Sequence, residues 1–93
     1  MVKTLKKMPY AQARVWESEG IGRKCRMLIS YSTHVIEVDN GGMMRCTGLY
    51  SMTTRKHISA FLWEYYPNIS FNMVKAIAGT DKTLDTETGE IIG

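Results

Sequence analysis

The stretch from residue 25 to residue 50 alternates with a period of two. Cys25, Met27, Ile29 and Tyr31 fall on one face of an extended chain, and His34, Ile36 and Val38 continue in the same style. Asp39-Asn40-Gly41-Gly42 interrupts the alternation. Asn-Gly reaches positive φ cheaply, so Asn40 and Gly41 are expected at the two central positions of a tight hairpin. Met43 to Tyr50 reads as the returning strand, with Met44, Cys46, Gly48 and Tyr50 on one face. Residues 9–17 are ambiguous. Ala, Gln and Arg favour helix, whereas Ala13, Val15 and Glu17 alternate with Arg14 and Trp16 and favour a strand, the reading preferred here. Gly20-Ile21-Gly22 then breaks the chain.

Beyond Tyr50 the period changes. Ile58, Phe61, Leu62, Tyr65 and Tyr66 stand at i, i+3, i+4, i+7 and i+8, the apolar stripe of one long helix. Ser51 or Thr53 can cap its start and Pro67 stops it. A shorter helix, capped by Asn68 or Ser70, runs from Phe71 to about Ala78, with Gly79 as terminator. The pattern predicts an α+β fold: an antiparallel meander of three or four strands, one long helix packed on a face, and a short second helix. Residues 1–79 form one domain with a basic N-terminal arm carrying Lys3, Lys6 and Lys7, and 80–93 are expected as an acidic flexible tail.

Composition narrows the functional classes. Ninety-three residues suit one domain. No apolar run is long enough to span a membrane, and the N-terminal lysines precede no signal-peptide core. Cys25 and Cys46 are then expected as free thiols in a reducing compartment, and the seven methionines as core filler or an adaptable contact surface. The net charge of +3 is unevenly spread: residues 1–56 carry +6 and residues 57–93 carry −3. That asymmetry suggests an anionic partner for the first half, or an ordinary solvated surface followed by an acidic tail.

Two short motifs stand out. Ser30-Tyr31-Ser32-Thr33, followed after a hairpin by Tyr50-Ser51-Met52-Thr53-Thr54-Arg55-Lys56-His57-Ile58, resembles small uncharacterised proteins of bacteriophages and integrated elements of Gram-positive bacteria. The resemblance covers roughly residues 28–62 and implies a mobile-element origin and a bacterial cytoplasm. It carries no activity and no site residues.

Catalytic chemistry finds little support. Cys25, His34, Cys46 and His57 are zinc-type ligands, but their spacing is wider than the two-to-five residues of ordinary structural sites. No nucleophile elbow accompanies the Ser, Cys and His residues, and Gly20-Ile21-Gly22 fits no phosphate loop. Neither an enzyme nor a metal or cofactor is expected. The helix start is the unusual place. Arg55, Lys56 and His57 crowd the positive end of a helix, where acidic residues would be more stable. With the hydroxyls of Ser51, Thr53 and Thr54 they form a candidate anion or partner site, and Trp63, outside the apolar stripe, is a candidate interface anchor. Solvated cations, simple capping and packing of Trp63 against Trp16 are the bland alternatives. The preferred reading is a small non-catalytic mobile-element protein that binds, and inhibits or modulates, a host or defence protein. A nucleic-acid-binding accessory protein and a binder of a small anionic ligand are the alternatives, and self-association as a homodimer fits any of them.

Overall fold

A computed structural model of the chain describes residues 2–18 and 25–93. The expected break at Gly20-Ile21-Gly22 lies outside the described residues. Seven strands form one antiparallel sheet in chain order: β1 (Val2–Lys3), β2 (Ala13–Glu17), β3 (Arg26–Ser30), β4 (Thr33–Val38), β5 (Met43–Cys46), β6 (Thr83–Asp85) and β7 (Ile91–Ile92). Between β5 and β6 the chain makes two helices, α1 (Met52–Tyr65) and α2 (Phe71–Ile77). The class is α+β, but seven strands replace the expected three or four. The extra ones are short pieces at the two termini, where two or three residues carry no readable alternation.

The helices cover one face of the sheet. Ala13, Val15, Leu28, Ile36, Met44 and Leu84 point into that layer and meet Ile58, Phe61, Leu62, Val74 and Ile77 from the helices. The other face carries Arg14, and Trp16, Met27, Glu37 and Arg45 stand in register across it from β2 to β5. Burial of each large core side chain stabilises by about 2 kcal/mol.

Three expectations change in physical detail. First, the chain turns at Tyr31-Ser32, with Ser30 paired to Thr33, so the Ser-Tyr-Ser-Thr run is a hairpin corner and not continuous strand. Second, a register shift at Leu28/Ile29 lets β4 bulge at Val35. Val35 and Ile36 are then both buried, and His34 is left exposed instead of sharing a face with Ile36 and Val38. Third, the hairpin at 39–43 places positive φ at Gly42 (84°), not at Asn40 and Gly41. Gly42 N–H donates to Asp39 O (3.0 Å), while Asp39 Oδ1 accepts from Gly41 N–H (2.9 Å) and Met43 N–H (3.0 Å). This is the three-residue loop closed by a left-handed glycine.

Both termini are docked. Leu5 is fully buried, Lys6 N–H donates to Glu64 Oε1 (2.8 Å), and Lys3 pairs with Glu17 (2.9 Å), so the basic arm lies on the body of the protein. Residues 80–93, expected as a flexible tail, supply β6 and β7. Leu84 is fully buried between Met44 and Ile91 in register, and Thr86 Oγ1 donates to Gly42 O (2.6 Å). A single leucine between Thr83 and Asp85 gives no pattern from which this docking could be read. No helix among the described residues is long and apolar enough to cross a membrane.

Candidate functional site

α1 begins where the sequence pattern places it. Ser51 is the N-cap, and its Oγ accepts from Thr54 N–H (3.2 Å). A buried chain of hydroxyls then runs inward. Ser51 Oγ meets Thr54 Oγ1 (3.2 Å), Thr54 Oγ1 meets Ser30 Oγ (3.2 Å), and Ser30 Oγ meets His57 Nδ1 (2.8 Å). Two proton orderings satisfy every link: Ser51 donates to Thr54, Thr54 to Ser30 and Ser30 to an unprotonated Nδ1, or the same chain runs in reverse from a protonated Nδ1 outward. His57 accepts at Nδ1 in the first ordering and donates from it in the second. Burial pushes its pKa below the usual histidine value, which favours the neutral ring in either ordering.

The two sequence motifs therefore meet in space, with Ser30 from the β3–β4 corner locked to Thr54 and His57 of α1. Each flank of this junction carries a strained tyrosine. Tyr31 (φ 58°) and Tyr50 (φ 51°) are the positive-φ residues other than glycine among the described residues. In the β3–β4 turn Tyr31 takes the first central position with positive φ and Ser32 does not. That is the type II′ pattern, whose first position ordinarily belongs to glycine. Holding a bulky residue there costs on the order of 1–3 kcal/mol. Tyr31 N–H donates to Gln12 O (2.6 Å), and its ring centroid lies 5.9 Å from that of His57. The Tyr50 ring rests on Gly48, where an added Cβ would stand 3.3 Å from it. Its hydroxyl meets Thr47 Oγ1 (2.7 Å), whose own proton goes to His34 O (2.9 Å), so Tyr50 is the donor. Both rings are pinned and yet exposed, at 59% for Tyr31 and 60% for Tyr50. Tyr10, two residues before the Gln12 that anchors Tyr31, is 99% exposed.

The candidate residues read from sequence divide between two places. Thr54 and His57 are buried in the hydroxyl chain, and Ser51 joins it from an exposed cap. Arg55 and Lys56 begin the second helical turn and face outward, with Thr53 exposed beside them. They line a shallow groove of about 600 Å³ together with Lys7, Met8, Met52 and Phe71. Trp63 is half exposed, and Lys7 Nζ lies 4.2 Å from its ring centroid, a cation–π contact with the N-terminal arm. Trp16 belongs to the opposite face of the sheet, not beside Trp63. Ser30, Tyr31 and Tyr50 are the residues of this region that residue-type reasoning undervalued. The signal for them was present in the paired motifs, which contain all three.

Chemically, the junction is a closed internal brace. Ser30 is 2% exposed and its oxygen already bonds Thr54 and His57, so the Ser–His pair does not present a nucleophile to solvent. Among the described residues no three His, Cys, Asp or Glu side chains gather as metal ligands.

A family model, described as a family of unknown function (DUF8033), matches residues 1–88. The chain belongs to that family. The DUF8033 match spans the N-terminal arm, the whole Ser30–His57 junction and β6, and ends before β7. No curated protein and no solved structure matches the chain.

Proposed function

We propose that this chain is a non-catalytic protein-binding module whose contact surface is the tyrosine corner at the start of α1. The observation that carries this reading is the pair of exposed tyrosines held at positive φ by a buried hydroxyl–histidine brace. Strain of this kind persists only where the surrounding structure enforces it, and it clusters at sites kept for contact. Tyrosine is also the residue such surfaces favour. It offers a large amphipathic area with few rotatable bonds, so a pinned ring loses little entropy on binding. Tyr10, Tyr31 and Tyr50 supply three such rings from segments tied to one another through Gln12, Ser30 and Thr54. The likeness to mobile-element proteins supplies the class of partner: a host or defence protein that the module would inhibit or modulate.

The test is affinity capture from nuclease-treated bacterial extract, comparing the wild type with Tyr10→Ser, Tyr31→Ser, Tyr50→Ser. The expected result is a protein retained by the wild type, lost by the triple variant, and recovered at moderate salt. Loss of capture on nuclease treatment would assign the surface to nucleic acid, where tyrosines stack on bases. Equal capture by both proteins would remove the corner from the binding surface.

A further inference from the structure

The groove on the outer side of α1 is chemically one-sided. Met8, Met52 and Phe71 give it an apolar floor, Lys7, Arg55 and Lys56 give it cations, and no acidic residue among the described residues lines it. At the far end of the chain stands its complement. Residues 80–93 carry a net charge of −3, with Asp81 and Glu90 exposed, and the edge strand β7 presents Ile91 and Ile92 at 40% and 47% exposure. The hairpin cannot fold back into the groove of its own molecule. It is held in the sheet by the Met44–Leu84 pairing and by the bond from Thr86 Oγ1 to Gly42 O (2.6 Å).

We propose that a second copy of this chain occupies the groove with its β6–β7 hairpin, setting Ile91, the β7 side chain on the face of Leu84, on the Met8–Met52–Phe71 floor and Asp81 and Glu90 against Lys7, Arg55 and Lys56. Under a two-fold axis the exchange is reciprocal: each copy gives its hairpin and receives its partner's, so one modest contact is made twice and the assembly closes as a dimer. The same contact covers β7, a sheet edge that would otherwise offer unpaired backbone groups to any extended chain. The charge asymmetry along the sequence then has a structural purpose, since the basic half of one molecule meets the acidic end of the other. The interface leaves Tyr31 and Tyr50 outside, so it stands independently of the tyrosine-corner reading.

Sedimentation velocity over a concentration series, at low and at high salt, tests this directly. The wild type is expected to form a dimer whose dissociation constant rises with salt, as it must when opposed exposed charges hold it. Arg55→Glu with Lys56→Glu, and separately Asp81→Lys with Glu90→Lys, should each weaken the dimer at least tenfold while keeping the wild-type circular dichroism, because all four side chains are exposed. Mixing the two double variants should restore dimerisation, since the acidified groove of one accepts the basic hairpin of the other and the reverse contact is complementary as well. A wild type that stays monomeric throughout would leave the groove to a foreign acidic segment and overturn the proposal. A dimer indifferent to both reversals, or a mixture that stays monomeric, would overturn it equally.

Discussion

The two ends of α1 pack against the same sheet and solve the same problem, polar groups at a helix end, in opposite ways. At the C-terminal end the last turn contains no basic residue, and β3 supplies one. Arg26 donates to Glu17 Oε2 (3.1 Å) and to the Tyr66 hydroxyl (3.0 Å), and its guanidinium lies 4.3 Å from the Tyr65 ring centroid. Lys3 closes the cluster on the other carboxylate oxygen of Glu17 (2.9 Å). Hydrogen bonds from Lys3 and then Arg26 outweigh burial and hold the Glu17 carboxyl below its usual range, while burial pushes the Tyr65 phenol up to about 12. Charge is paired there, and neither tyrosine has positive φ. At the N-terminal end the internal groups are neutral hydroxyls and an imidazole, their bonds are spent on bracing, and the two flanking tyrosines are strained and exposed. One end concentrates stabilising interactions, whereas the other carries backbone strain beside exposed aromatic rings. A local rule broken at one end and kept at the other is the pattern expected where contact, not folding, sets the residues.

Breaking the C-terminal cluster should cost most. Arg26→Ala takes one cationic partner from the buried Glu17 carboxylate and removes the cation from the end of α1. The expected loss is about 3 kcal/mol in urea unfolding. A loss below about 1 kcal/mol would show that water replaces the guanidinium freely and that this end is not the stabilising one. Ser30→Ala should come next, at about 2 kcal/mol, because the His57 Nδ1 and the Thr54 hydroxyl lose their shared partner inside the fold.

The brace also predicts a pH dependence of definite sign. The folded His57 pKa lies below its ordinary value of 6.5, so at intermediate pH the unfolded chain binds the proton more readily. Stability is therefore complete above 6.5 and is lost as pH falls towards the folded pKa. Chemical unfolding at a series of pH values in the wild type and His57→Gln should show this slope in the wild type and a flatter profile in the variant. Identical slopes would assign the dependence to other groups. Glu17 gives the same sign in a lower window, because its carboxyl is depressed as well.

The contrast between the two ends was only half legible in the sequence. The periodicity of Ile58, Phe61, Leu62 and Tyr65, together with the cap at Ser51 and the stop at Pro67, located α1, because a helix writes its buried stripe into the spacing. The central strands wrote theirs by alternation. Short terminal strands did not, since β1 and β7 hold two residues each. The Tyr31 turn was hidden for a different reason. It contains none of the glycine, asparagine or proline that normally marks a turn, because the position is filled against its own propensity. The crowding of Arg55 and Lys56 at the helix start was visible. Their separation from Thr54 and His57 was not, because neighbouring helical residues face different ways and only the packing of Ser30 decides which of them turn inward.

The smallest expected effect is the most telling, because it has the opposite sign from all the others. Replacing Tyr31 and Tyr50 together by glycine removes the positive-φ strain and the aromatic surface in one step, leaving Ser30, Ser51, Thr54 and His57 in place. Unfolding free energy and partner capture measured on that one double variant test the division of labour along α1 most directly. The expected outcome is a protein more stable than the wild type by about 1 kcal/mol that no longer retains the partner. A variant that is less stable than the wild type, or that captures the partner undiminished, would contradict the assignment of this corner to binding.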